Sequence, residues 1–576
     1  MSLRSRTFWL PLCCAAIAFP SVVPFAAQEL PDRAPRISKL ASRVSPEVLS
    51  LFAGESPDTR GTVLLHLAPE RDDRPLVPAA TATLETDGVG GLRFTLNGRP
   101  VDEAELAAHA AVAKRQLAAR AAERDARSEA RLTALLAEAG LSKQVVDRTT
   151  TTARVRLNAE ELGRLVEVGA GRLQAIEVPK PIVNTLTNAI TTNPVGALEW
   201  LRILPYAHSY NLKGQGIGIW TGEGNSPDAT DSEINAAKVV YLTPDAPSTH
   251  STWTTTMLQK TAPQATVYYG HEPAGCHIYK PIARQTNPPV YLGSQSWNWG
   301  DVMTNTYTAC AAEWDDYVYQ SRIAMFVPSG GTATGFFTTT PGKGFNVFAV
   351  GGADTDPLMI PNQALNYTGW LDPETGAVKP DGVTPGTCIT RKAGELCAGG
   401  VSLATPLAAA FAADLMSGSA FFFNQPQAIK AHLVAGATTD VVPNDIDKDG
   451  PGMLNFLHTQ FFRWGKWWNG NNSAYFDPAT KKIVELTNLT ANKRYRIAIS
   501  WLVQGSYALS NKAPNMRMEL TVTRGFAQWS SKIPNSTIQW IDFVAPETGT
   551  YTIEIKRVTN VNNGQLALAL TVGEVV

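Results

Sequence analysis

Three residues in this chain have types and surroundings suited to nucleophilic catalysis: a serine, a histidine and a carboxylate. Ser402 stands in Gly399-Gly400-Val401-Ser402-Leu403-Ala404-Thr405-Pro406, followed by an alanine-rich run. The two glycines allow backbone angles that other residues resist. The run after them reads as a buried helix that begins at Ser402. Pro406 then falls within about the first turn, where its missing N–H costs little. A hydroxyl at that helix end lies beside free backbone N–H groups, which suits a nucleophile whose product is an oxyanion. A plain capping serine fits the same pattern, so the partners decide. His250, in Thr249-His250-Ser251-Thr252-Trp253, opens another predicted helix and is the candidate base; His271 and His277 compete by position. Glu223 closes Gly214-Gln215-Gly216-Ile217-Gly218-Ile219-Trp220-Thr221-Gly222-Glu223, a strand running into a glycine-rich turn. Sites of open α/β sheets form outside such strand ends. Asp228 and Asp231 are the fallback acids.

The elements that would position these groups follow from periodicity. Short apolar runs at Gly216–Trp220, Val239–Leu242, Thr266–Tyr269, Val290–Leu292, Ile323–Val327 and Asn346–Val350 alternate with helical segments. That order predicts a mostly parallel, doubly wound sheet over residues 196–464. Upstream, Gly61–Leu67 reads as a strand, and Asn97-Gly98 marks a hairpin within Leu92–Val101. Asp102–Ala139 is long, charged and alanine-rich, a helix stopped by Gly140. A strand at Val145–Leu157, a helix at Ala159–Val168 and a strand at Leu173–Val178 complete a small α+β domain. A Thr/Asn/Pro-rich linker ends this region, so it spans 28–195. Residues 465–576 switch to a period of two, with Met516, Met518, Leu520 and Val522 on one face, and predict an antiparallel β-sandwich.

At this point a family resemblance is visible. Gly400-Val401-Ser402-Leu403-Ala404-Thr405-Pro406 resembles the Gly-Thr-Ser-Met-Ala-Thr-Pro nucleophile motif of the subtilisin-like serine proteases, the subtilases. His250-Ser251-Thr252-Trp253 is similar to their His-Gly-Thr-His, and Ala262-Pro263-Gln264-Ala265 to their Ala-Pro-Asn-Ala turn. The strand from Gly214 then sets Glu223 where the family has aspartate. The order acid, His, Ser is the family's, with spacings of 27 and 152 residues. The resemblance covers about 197–462. It implies a serine endopeptidase working through an acyl-enzyme, with Glu223, His250 and Ser402 as catalytic residues. Ser296, Trp297 and Gly300 would line the substrate cleft. Residues 28–195 look like the inhibitory, chaperone-like propeptide of a zymogen, and 465–576 like the jelly-roll domain of some bacterial members. The partners implied are a protein or peptide substrate and the chain's own propeptide as inhibitor.

Two departures stand out. Glu223 is one methylene longer than Asp, about 1.5 Å. The oxyanion-hole Asn is absent where Phe326-Val327-Pro328-Ser329-Gly330-Gly331-Thr332 occupies its place. Losing that donor costs about 10²–10³ in rate, a figure measured in this family. Ser329, Gly331 or Thr332 are the substitute donors. The departures also motivate an alternative reading, a catalytically degenerate binding or adhesion protein on the same fold.

Composition sets the remaining bounds. The 576 residues are 44% hydrophobic with a net charge of −1, which leaves no basic footprint for nucleic acid. Arg4 and Arg6 precede an apolar stretch from Phe8 to Phe25 that ends in Ala26-Ala27, a secretory signal peptide over 1–27. The mature protein is thus expected to be secreted, extracellular or periplasmic, and not membrane-bound. Four cysteines remain after its removal. The pairing expected is Cys388–Cys397, which closes a short loop, with Cys276–Cys310; zinc is the alternative, though CxxC spacing is absent. No cofactor is required for the chemistry. Asp445, Asp447 and Asp449 open with the DxDxDG of a calcium loop, but Phe456 stands at its twelfth position, so an EF-hand is excluded and a structural calcium of another kind is expected.

Overall fold

The structure is a computed structural model. It describes residues 44–52, 59–70, 77–86, 91–179, 183–184, 187–188, 198, 201–270, 286–298, 306–330, 338–355, 361–364, 372, 374–386, 389–392, 395, 398–438, 449–460, 462–471, 474–561 and 565–575. The expected leader and its cleavage site lie outside them. Among the described residues, no helix is long and apolar enough to cross a membrane.

The N-terminal region begins with β1 (Gly61–Leu67), the hairpin strands β2 (Ala80–Thr86), β3 (Leu92–Leu96) and β4 (Arg99–Val101), and α1 (Glu103–Glu138). Asn97 and Gly98 make the β3–β4 turn, with φ of 53° and 77°. Helix α1 starts where the Asp102 carboxylate accepts the Glu105 N–H at 2.7 Å. It ends before Gly140, whose φ is +70°. Next come β5 (Val145–Arg148), β6 (Thr152–Leu157), α2 (Ala159–Val168) and β7 (Leu173–Glu177). Asn158 and Glu161 close a capping box on α2. Strands β5-β6-β1-β7 form one antiparallel sheet. Where the sequence reads only a linker, two short strands follow, β8 (Val183–Asn184) and β9 (Thr187–Asn188).

The middle region contains β10 (Gly218–Thr221), β11 (Val239–Thr243), α3 (Thr249–Thr261), β12 (Thr266–Gly270), β13 (Val290–Ser294), β14 (Trp297–Asn298), α4 (Ala309–Ser321), β15 (Ala324–Pro328), β16 (Phe348–Thr355), β17 (Pro361–Ala364), β18 (Gly382–Pro385), β19 (Ala398–Gly399), α5 (Val401–Met416) and α6 (Pro426–Ala435). The main sheet runs β11-β12-β10-β13-β15-β16-β17, with β18 also on β16. All its pairings are parallel except β16–β17. From β10 the chain runs to β11 and β12 on one side and then crosses to β13 on the other, which makes the carboxyl end of β10 a topological switch point. Every residue of α5 is buried. Its alanines let it pass close to β13, β15, β16 and α3, all of which it touches. Pro406 is the sixth residue of this helix, not part of its first turn, so the Ser402 carbonyl lacks its usual i+4 donor.

The C-terminal strands are β20 (Phe462–Asn471), β21 (Lys482–Leu489), β22 (Arg494–Trp501), β23 (Met516–Arg524), β24 (Ala527–Ser531), β25 (Ile538–Val544), β26 (Gly549–Asn560) and β27 (Gln565–Val575). Two antiparallel sheets face each other, β21-β26-β23-β24 and β25-β22-β27-β20-β2-β3-β4. The second sheet differs from the sequence reading, because the N-terminal hairpin is part of it. Ala82, Leu84, Phe94 and Leu96 alternate along β2 and β3, and they share a core with Phe421 and Trp467. A two-strand hairpin cannot bury such a face by itself.

Candidate active site

Glu223 follows β10 by two residues. Gly222 between them is required by close approach, since a Cβ there would lie 2.4 Å from the Gly270 carbonyl oxygen at the end of β12. The Glu223 side chain turns inward. Its Oε1 accepts the Ser296 N–H at 2.9 Å and the Thr221 hydroxyl at 3.2 Å. Its Oε2 lies 3.5 Å from His250 Nδ1. His250 is the second residue of α3, a helix opened by the Ser248 hydroxyl accepting the Ser251 N–H at 3.1 Å.

Ser402 is the second residue of α5. Gly400 precedes it as the N-cap with φ 136°, an angle that favours glycine. The Ser402 hydroxyl donates to the Ser296 carbonyl at 2.9 Å. One residue, Ser296, therefore grips the acid with its N–H and the serine with its C=O. Nothing in the sequence marks that bridge, because it is made by main chain.

All three side chains are secluded: Ser402 is 0%, Glu223 1% and His250 7% exposed. Burial pushes the His250 imidazole down to about 4, so the ring is neutral at pH 7 and able to take a proton. Burial also pushes the Glu223 carboxyl up to about 7, against the opposing hydrogen bonds from Ser296 and Thr221. Among the described residues, neither imidazole nitrogen has a hydrogen-bond partner. The 3.5 Å separation from Glu223 exceeds the 2.7–3.2 Å range of a formed N–H···O bond. Such pairs commonly tighten only when substrate binds.

The fallback acids are engaged elsewhere. Asp228 accepts the N–H and hydroxyl of Thr230, and Asp231 pairs with Arg391 at 2.8 Å. His271 and His277 lie outside the described residues. Ser329 directly follows β15, with its N–H on the Val350 carbonyl at 2.9 Å. Its buried hydroxyl has no partner among the described residues, and the same holds for Thr338 and Thr339. Gly331, Thr332 and Gly300 lie outside the described residues. The Trp297 side chain is core, edge-on to Trp314 at 6.2 Å, and does not line an open cleft as expected. Cys310 is disulfide-bonded; Cys276, Cys388 and Cys397 lie outside the described residues. So do Asp445 and Asp447. Asp449 is buried, and the described residues hold no group of three or more His, Cys, Asp or Glu placed to take a metal ion.

A further feature is a strap over the site. Strand β8 runs antiparallel to β14, with Asn184 opposite Trp297 and Val183 opposite Asn298. Strand β9 runs antiparallel to β19, with Thr187 opposite Gly399 and Asn188 opposite Ala398. The first partner directly follows Ser296, and the second directly precedes Gly400 and the Ser402 helix. The chain thus pairs with the segment that follows Ser296 and with the segment that precedes Gly400. Sequence reasoning missed these strands because Thr, Asn and Pro mark a linker and carry no period.

No protein-family model matches the sequence, and no curated protein matches it. Solved structures do. The epidermin leader peptide processing serine protease from Staphylococcus aureus matches at 14% identity and a TM-score of 0.38, over 57% of this chain and 95% of that one. A protease from Pseudoalteromonas arctica matches at 12% and 0.33, over 46% and 97%. The pre-peptidase C-terminal domain of a Bacillus anthracis collagenase matches at 14% and 0.13, over 18% and 86%. The functional reading rests on the geometry of the site itself.

Proposed function

We propose that this protein is a serine endopeptidase of the subtilase type, made as a zymogen. The observation that carries the reading is the convergence of Ser402, His250 and Glu223 around Ser296, beneath a strap of the chain's own backbone. Ser402 Oγ attacks a peptide carbonyl while His250 Nε2 takes its proton. For this the hydroxyl leaves the Ser296 carbonyl and turns to the imidazole. Glu223 holds Nδ1–H and stabilises the imidazolium. The tetrahedral oxyanion receives the Ser402 N–H at the helix start, together with the Ser329 hydroxyl. His250 then passes its proton to the leaving amine, and water releases the acyl group.

A fluorophosphonate probe tests the reading. Wild-type protein is expected to take the label and Ser402→Ala to take none. A wild-type protein that neither labels nor hydrolyses peptides would sink the idea and favour the binding-protein alternative.

The zymogen reading is specific about position. Asn184 lies opposite Trp297, and Thr187 lies opposite Gly399. Three peptide bonds join Asn184 to Thr187, and Thr185–Leu186 is the middle one. We expect self-cleavage there. Mass spectrometry of the purified protein should find a new N-terminus at Leu186, and Thr185→Pro should abolish it. A first cut outside 184–187 would overturn the assignment.

Ser329 is the proposed side-chain oxyanion donor. Ser329→Ala is expected to lower kcat by about 10²–10³ with KM nearly unchanged. An unaltered kcat would assign the role to backbone N–H groups alone.

A further inference from the structure

The strap and the body of the N-terminal region are fastened to the rest of the molecule in different ways. The strap is held by two short backbone pairings at the cleft. The body is held at three places away from it. Strand β2 lies beside β20 through six register pairs, from Ala80↔Asn469 to Glu85↔Trp464. On α1, the Glu103 carboxylate accepts the Ala420 N–H and the Ser419 hydroxyl. Farther along α1, the Ala110 carbonyl accepts from Asn424 at 2.9 Å, and Lys114 donates to the Val290 carbonyl while lying over the Tyr291 ring. In the first sheet, Glu177 accepts the Ala309 N–H that opens α4, and Thr151 donates to Glu313 on that helix at 2.7 Å. Buried His66 lies between those two carboxylates, 3.4 Å from Glu177 and 3.6 Å from Glu313.

The edges of the seven-stranded sheet point the same way. Its outer strand on this side, β4, has three residues and carries Arg99 and Pro100, features that blunt an edge against further pairing. Strand β20 has ten residues with Trp464, Trp467 and Trp468 and no proline. Loss of β2 would turn that long, tryptophan-rich strand into an open edge, an aggregation hazard. The sheet is built to end at β4 and not at β20.

We propose that residues 61–179 are a permanent, non-covalent subunit of the mature protein. Cutting the strap frees the cleft, because the new ends withdraw, while the body stays docked through β2, α1 and the first sheet. Activation is then withdrawal of a tail and not departure of a propeptide. The inference rests on the proposed self-cleavage only for the agent that makes the cut.

The test supplies its own cut. A recognition site for an external sequence-specific protease is inserted between Asn193 and Pro194 in the full-length Ser402→Ala chain, and the cleaved protein is run on a native sizing column. Both fragments are expected in one peak, parting only in denaturant. An N-terminal fragment eluting by itself overturns the proposal, whether or not the remainder stays in solution. Self-cleaved wild-type protein gives the second arm. Its single peak should contain both fragments and bound fluorophosphonate. Label confined to material that has lost the N-terminal fragment would overturn the tail-withdrawal mechanism.

Discussion

Ser402→Ala is expected to lower kcat for peptide hydrolysis by about 10⁶ and to leave the chain uncut between residues 184 and 187. The size follows from the role: Ser402 Oγ forms the bond to the acyl group, and among the described residues no other hydroxyl bonds the His250 ring. The structure also limits collateral damage. Ser402 lies in a helix of which every residue is buried, beside Leu403 and Ala404, so alanine creates no steric conflict. It removes the hydrogen bond to the Ser296 carbonyl. An unsatisfied buried acceptor costs about 1–3 kcal/mol, which a domain of this size survives. Thermal melting of the variant should therefore stay cooperative while activity and labelling vanish. Activity within about 10² of wild type would show that Ser402 is not the nucleophile.

What the sequence made legible was what local chemistry dictates. Periodicity and the stop at Gly140, which act on near neighbours, placed α1, α2 and six strands of the main sheet within a few residues, while β17 and β18 went unread. Glu223 and His250 were legible as motif positions at a strand end and a helix start, and the structure brings them within 3.5 Å. Illegible were contacts made by main chain over long separations. Ser296 joining Glu223 to Ser402, and β8 and β9 lying along β14 and β19, depend on N–H and C=O groups that every residue carries. The hairpin β3–β4 was recognisable at Asn97-Gly98, but β2 and its destination beside β20 were not. An alternating apolar face announces that a core is needed and does not say which one.

Glu223→Gln carries the second large effect, about 10⁴ in kcat, and it separates catalysis from stability. The amide oxygen can keep the bonds from Ser296 and Thr221. The amide NH₂ then faces His250 Nδ1, which must accept, so the ring proton moves to Nε2. That nitrogen faces the nucleophile and no longer takes its proton. The pH profiles should part accordingly. In wild type, kcat/KM is expected to rise tenfold per unit up to about pH 7, where Glu223 ionises. In the variant that carboxyl is gone. The remaining break belongs to His250, held down to about 4 by burial, so the profile should be flat from about pH 5 to 8. Stability should move the other way. Glu223 binds its proton more tightly folded than unfolded, so the folded state is penalised as pH rises from the ordinary carboxylate range through about 7. At about 1.4 kcal/mol per pKa unit the penalty reaches about 3 kcal/mol above pH 8. Glutamine has no such penalty, so Glu223→Gln should melt higher than wild type at pH 8 and converge with it near pH 4. A variant that melts lower at pH 8, or keeps the wild-type pH profile, would remove Glu223 from the triad.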